Sequence, residues 1–430
     1  MKKTIFGILA VFGIVVLVLV YRVYYVFSFN KQLEKISFDD YDGRGAVKLI
    51  DDNFPDYLIK FMADDNIKEK TSDLEKLLPQ KDNIFDRKTI NQLVTNTEAK
   101  FSAQNIDEFK QIVRIIKNKM KETKNSVAPS FSESEKFPSS PTFKTLRATA
   151  RYWSIMSRAL EKKNDYETSL YLSHAIFYIT KDCQSNYSNG GSLISKMICV
   201  AINNIACNSI MYWACRPKPQ CKELSKEVAK DILDFVKNEY PLSVAIEHES
   251  LLIEDVLDNF AKKGKSIYAK ILKSNGYKEL VDICYNEPKK FLDKPIYEIK
   301  KQMEEFSKKR EKMLNYDSAS LFTNALLNPE KAVAIQIFNL ASPNFSKAKE
   351  SCEASLAKME MTAIALAINS FIGEKNKYPK SMDELSEWFG SKLPNNRITN
   401  EPYELDFKGK HVLYNNSISN NEFYFDFSAK

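Results

Sequence analysis

Apolar positions along this chain follow three patterns. Over residues 5–27 they are continuous, with Arg22 the only charge in 23 residues. At about 1.5 Å rise per residue, a helix there reaches roughly 35 Å, slightly more than a hydrocarbon core of about 30 Å. Further on, apolar residues return every three or four positions, as in 105–122, where Ile106, Phe109, Ile112, Val113, Ile116 and Met120 form one stripe with Lys and Glu opposite. Near the C-terminus three short runs, 403–407, 411–415 and 422–427, read as strands. Lys408-Gly409-Lys410 joins the first two as a hairpin.

These patterns predict a mainly α protein: an N-terminal transmembrane helix, an α-hairpin, tetratricopeptide-like helical domain, and a small C-terminal helix plus three-stranded antiparallel sheet. The expected division is a membrane anchor over 1–29, a helical region over 30–125, a Ser/Pro-rich linker over 126–142, a helical-hairpin domain over 143–343 and a C-terminal α+β module over 344–430. In the hairpin domain one helix runs through Arg147, Tyr152, Met156 and Leu160. Asn164 and Asp165 stop it and cap a second, through Leu170, His174, Phe177 and Tyr178. Gly190 and Gly191 open a further helix over 192–213, apolar on most of its circumference. A long helix over 345–374 then leads, past Tyr378 and Pro379, to a short one capped by Ser381.

The anchor competes with a cleaved signal peptide, which needs small residues after the apolar run. That position holds Tyr21, Arg22, Val23, Tyr24 and Tyr25, aromatics suited to an interfacial belt. Ile5, Val20 and Phe27 are anchor residues of the expected span. No Cys precedes Cys183, which excludes lipoprotein attachment. The amino group, Lys2 and Lys3 set the N-terminus in the cytoplasm and the long C-terminal part outside, periplasmic or at the cell surface.

Composition adds that the exported part can fold: 44% of residues are apolar, with 27 Phe and 21 Tyr, whereas 11 Gly is too few for a sandwich or barrel. The net charge of +7 is spread over 63 basic and 56 acidic residues, without a basic stripe interleaved with aromatics. That excludes nucleic acid as the expected partner and leaves a weak attraction to anionic lipid.

Candidate chemistry is sparse. Seven Cys is an odd number. Cys215 and Cys221 flank a Pro-containing turn, where a short disulfide competes with two small apolar helix-end residues. Cys199, Cys207 and Cys215 recur every eight residues, which drifts around a helix and gives no tetrahedral metal geometry, so neither metal nor cofactor is expected. Three His, at 174, 248 and 411, leave few candidates for a triad, and no nucleophile-elbow, zincin or phosphate-loop motif occurs. Ser355-x-x-Lys358 fits a penicillin-interacting pattern, but so do Ser28 with Lys31 and Ser346 with Lys349, without companion motifs. Glu247, His248 and Glu249 form the one constellation of interest, since flanking carboxylates favour a protonated His248. Consecutive helical residues point about 100° apart, so the three do not converge. The plainer expectation pairs Glu249 with Arg147 or Arg151 and leaves His248 facing solvent.

Three local patterns carry a family resemblance: Gly190-Gly191-Ser192-Leu193-Ile194 entering an apolar helix, Ala245-Ile246-Glu247-His248-Glu249, and an Ala/Leu-rich helix followed by Lys377-Tyr378-Pro379-Lys380-Ser381-Met382-Asp383-Glu384-Leu385. With them the chain resembles bacterial proteins of unknown function that have a single N-terminal membrane helix, a tetratricopeptide-like middle and a short C-terminal α+β module. The likeness covers roughly two thirds of the exported part and brings no established activity. The chain departs from it at Leu393-Pro394-Asn395-Asn396-Arg397, where the family has an acidic, Gly- and Pro-containing turn. The C-terminal module also looks like the globular half of a type II secretion pseudopilin, but five residues after Gly7 stands Phe12 where a pilin needs Glu.

Two functional expectations follow. One is an extracytoplasmic interaction scaffold that binds another envelope protein, with lipid engaged only through the anchor and no small-molecule ligand specified. The other is an envelope hydrolase acting on wall or peptide material, its site between helices around Glu249, His248 and Arg151.

Overall fold

In the computed structural model, residues 147–426 are described apart from 187–192, 263–265, 315–327, 342–343, 407–410, 417–420, position 217 and scattered positions between 148 and 162. The expected anchor with Ile5, Val20 and Phe27, the region 30–125 and the linker 126–142 lie outside the described residues. What is described is mainly helical. It divides into two compact units. Unit 1 takes in Leu242–Lys294 and Glu298–Lys347, and unit 2 the described residues up to Pro241 together with Pro295–Tyr297 and Ala348–Lys430. The boundary between the units falls after Pro241, inside the 143–343 span expected as a helical-hairpin domain; the missing N–H and fixed φ of that proline interrupt the chain between helices.

Unit 2 begins with helical residues between 147 and 161, then α1 (Tyr166–Asn186) and α2 (Leu193–Ala214). Asn164 adopts φ 61° and the Asp165 carboxylate accepts from Thr168 N at 3.3 Å, so this pair ends one helix and caps the next. Ser157, Ser169, Ser173 and Ser209 join three helices through buried hydroxyl contacts of 2.6–3.0 Å, satisfying polar groups that a wholly apolar seam would strand. A 3-10 turn (Pro219–Cys221) leads into α3 (Lys222–Lys237), whose Val228, Ala229, Ile232 and Val236 are buried.

Unit 1 holds α4 (Leu242–Lys262), α5 (Ser266–Lys273), α6 (Asn275–Val281), a π turn (Asp282–Asn286), α7 (Glu287–Lys289), most of α8 (Ile296–Leu314) and α9 (Pro329–Ala341). The π turn precedes Pro288, which cannot donate to the carbonyl four residues back and crowds it, so the backbone widens there. Phe338, fully buried, takes Tyr277 and Tyr285 edge-on at 5.7 and 5.8 Å. Gly276 is required by packing: a Cβ there would stand 2.6 Å from Lys331 Cβ and 3.0 Å from its Cα. Gly276→Ala gains up to about 1 kcal/mol of helix propensity but forces α9 away. The expected net is a loss of about 1–3 kcal/mol, measured as a lower calorimetric midpoint. An unchanged or higher midpoint would show that α6 and α9 separate freely.

α10 (Phe345–Lys375) opens with three residues of unit 1 and continues as the centre of unit 2. Among the described residues it is the helix long and apolar enough to cross a membrane, and 83% of its most apolar window is buried inside the protein. Lys349, Glu353 and Glu360 along it are buried against partners of the same unit, which makes it a core helix. α11 (Met382–Phe389) starts at a capping box: Ser381 Oγ accepts from Glu384 N at 3.1 Å, and the Glu384 carboxylate reaches back to Lys380 N. Gly390, φ 83°, ends it. β1 (Glu404–Asp406), β2 (His411–Asn416) and β3 (Asn421–Asp426) pair antiparallel in that order, Leu405 opposite Val412 and Val412 opposite Phe425.

Candidate functional site

Glu249 and His248 lie on α4 in unit 1, and Arg151 in the first helical segment of unit 2. Along α4, Glu247 is exposed and 3.6 Å from Lys289, His248 is half-buried where a solvent-facing side chain was expected, and Glu249 is buried. The three thus point in different directions, as helical geometry requires.

Cys215 and Cys221 are not joined by a disulfide. The turn between them is closed by other groups. Lys218 Nζ donates to the carbonyls of Trp213 and Arg216, the latter at 3.0 Å, and Asn369 Nδ2 of α10 donates to those of Ala214 and Arg216 at 3.1 and 2.8 Å. Ser370 Oγ donates to Lys222 O at 2.7 Å, and a Cβ on Gly373 would meet Pro219 Cα at 3.1 Å. The carbonyls left at the end of α2 are satisfied by an ammonium and an amide, so a covalent staple is not needed to hold the turn. Burial raises the Cys221 thiol above its ordinary value, which disfavours the reactive thiolate. Among the described residues no group of His, Cys, Asp and Glu could hold a metal ion.

Lys218 itself is almost fully buried, 4.4 Å from the Trp213 ring centre and 5.1 Å from that of Tyr166, with Glu161 Oε1 at 3.5 Å. Burial pulls its ammonium down to about 8, against the opposing pull of Glu161.

The main gathering of charge lies along one face of α10. Lys349 Nζ meets Glu353 Oε1 at 2.5 Å, both side chains nearly inaccessible. Arg397 bridges two carboxylates, with Nε 3.2 Å from Glu353 Oε2 and Nη1 3.3 Å from Glu360 Oε1. Glu360 Oε2 accepts from the Tyr403 hydroxyl at 2.8 Å. Beside them Lys196 of α2 pairs with Glu239 and donates to Tyr240 O. Cys352 sits among these groups, and its thiol is pushed up to about 12, burial outweighing the nearby lysines. Three cations thus face three carboxylates.

Arg397 is delivered by the loop after α11. Leu393 N donates to Ser386 Oγ, buried Asn396 accepts Ile398 N on its side chain at 2.9 Å, and Asn400 N closes on Asn396 O at 2.7 Å with Asn400 at φ 64°. The stretch Leu393-Pro394-Asn395-Asn396-Arg397 is thus the element that places the guanidinium. Burial pushes the Glu360 carboxyl up to about 7, Arg397 and Tyr403 opposing it only in part. Arg397 is itself held above its ordinary value, burial being outweighed by Glu353 and Glu360. Both rise, with opposite effects on charge: Arg397, facing two carboxylates, stays charged, while Glu360, with one share of a guanidinium, does not keep its charge cheaply.

The signal for this site was present in sequence as Lys349, Glu353 and Glu360, spaced four and seven apart on one face of an Ala-rich helix. Arg397 and Tyr403 carried no local signal. No family model matches the chain, and no curated protein or solved structure matches it.

Proposed function

We propose that this protein is a helical interaction scaffold of the bacterial envelope, tethered by its N-terminal segment with the amino end in the cytoplasm and the remainder periplasmic or at the cell surface. In this reading it presents tetratricopeptide-like hairpins and a C-terminal helix-plus-sheet module to another envelope protein, as its resemblance to single-pass anchored proteins implies. The observation that supports it is the matching of charges beside α10: Lys196 with Glu239, Lys349 with Glu353, and Arg397 with Glu353 and Glu360. These groups are spent on holding α2, α10 and the Arg397 loop together, the requirement of a rigid surface more than of a reaction centre.

The test is protease accessibility in spheroplasts combined with crosslinking of the full-length chain. Digestion from outside, with recovery of one stoichiometric envelope protein, is the expected result. Protection from protease would overturn the orientation, and recovery of no stoichiometric partner would overturn the scaffold. The burial of Glu249 on α4 is the observation that favours a hydrolase as the second reading.

A further inference from the structure

We propose that Glu360 is an acid-operated latch: the segment 393–403 closes on α10 when this carboxyl is protonated and loosens when it ionises. Beyond the scaffold reading, and independent of it, the inference rests on how Glu360 is covered. Both of its oxygens are met by side chains of that one segment, Arg397 at 3.3 Å and Tyr403 at 2.8 Å. Leu393, Ile398 and Tyr403 bury their side chains there as well. Undocking the segment would return the carboxyl to water.

The covered site suits an acid better than its anion. The charged groups that face it are Glu353 on its own helix, Arg397 from the loop and, beyond Arg397, Glu239 paired with Lys196. Glu353 already draws on Lys349 and on Arg397 Nε, so Glu360 receives only part of one cation. Tyr403 favours the anion by donating to it, by less than burial disfavours it, and it also leaves the neutral form with its bonds made. Its hydroxyl lies 2.8 Å from Glu360 Oε2 and 3.4 Å from Ala357 O. With the carboxylate, the phenol donates to Oε2. With the acid, it can accept the Glu360 proton and turn its own toward Ala357 O, so each hydroxyl has a partner.

The sign follows from linkage. The covered carboxyl holds its proton up to about pH 7, the uncovered one only to about 4.5, so docking strengthens as pH falls through about 7 and its gain is complete below 4.5. Between pH 8 and 5.5 the opening equilibrium should shift by roughly 30-fold toward the docked state.

The experiment is amide hydrogen exchange of the full-length chain in nonionic detergent, corrected for intrinsic rates, following Asn396, Ile398 and Asn400 against the amides of α2. Protection of the loop should rise roughly 30-fold from pH 8 to 5.5 while α2 stays level. Glu360→Gln should hold the loop protected at both pH values. A flat profile in the wild type, the same slope in Glu360→Gln, or an equal rise in α2 would overturn the latch. Should Glu360→Gln not fold, Tyr403→Phe serves in its place. Loss of the phenol's bond to the anion moves the transition to higher pH, and an unmoved transition counts against the proposal.

Discussion

Arg397→Met lowers the stability of unit 2 by about 3–5 kcal/mol, the cost expected when one partner is taken from buried opposite charges. Arg397 is three-quarters buried and spans Glu353 and Glu360, which are nearly inaccessible. Without it Glu353 keeps Lys349, but Glu360 keeps only a phenol. The loss should therefore be larger at pH 8, where Glu360 must ionise or hold a displaced proton, than at pH 5.5, where it is already neutral. Adding Glu360→Gln should recover part of the loss at pH 8 and little at pH 5.5, because the amide mimics the protonated acid. Urea unfolding followed by tryptophan fluorescence isolates the effect, since all three Trp, at 153, 213 and 388, belong to unit 2. A loss under about 1 kcal/mol would place this network among exposed ion pairs of little weight.

The contrast between what sequence disclosed and what it hid follows the range of the interactions. Local signals worked: Asn164-Asp165 ends and caps helices, Ser381 with Glu384 forms a capping box, and the length of α10 was evident because its apolar composition and the Lys375-Asn376 stop lie within one stretch. Partners set by the tertiary fold were not legible. Arg397 finds carboxylates 44 and 37 residues away, and nothing in Asn-Asn-Arg distinguishes a solvated turn from one aimed into a helix face. Cys215 and Cys221 show the same limit from the other side, since the sequence left a disulfide and two apolar helix-end residues both open. Their spacing fits a covalent staple, while the group that holds the turn, Asn369, lies some 150 residues further along, in the C-terminal part of α10. The break at Pro241 was open to reading, yet the hairpin pattern continues on both sides of it, and periodicity alone does not say which helices pack together.

Lys218→Met should cost unit 2 about 2–3 kcal/mol near pH 7, from lost charge-assisted bonds to Trp213 O and Arg216 O and the lost cation–π contacts with Trp213 and Tyr166. The figure stays below that for Arg397 because two partners keep other company: Asn369 still bonds Arg216 O, and Arg158 still pairs with Glu161. The pH dependence separates this buried ammonium from an ordinary surface lysine. Burial lowers it from 10.5 to about 8 in the folded state, so between those values the unfolded chain binds more protons than the folded one. Stability contributed by this group therefore rises as pH rises through that window. The gap between wild type and Lys218→Met should widen from pH 7.5 to 9.5, since the methionine has nothing to titrate. In urea unfolding at the two pH values, a constant gap would mean that Lys218 keeps an ordinary ammonium and reaches water. A widening gap would mean that the end of α2 is closed by a lysine that the interior barely allows to be charged.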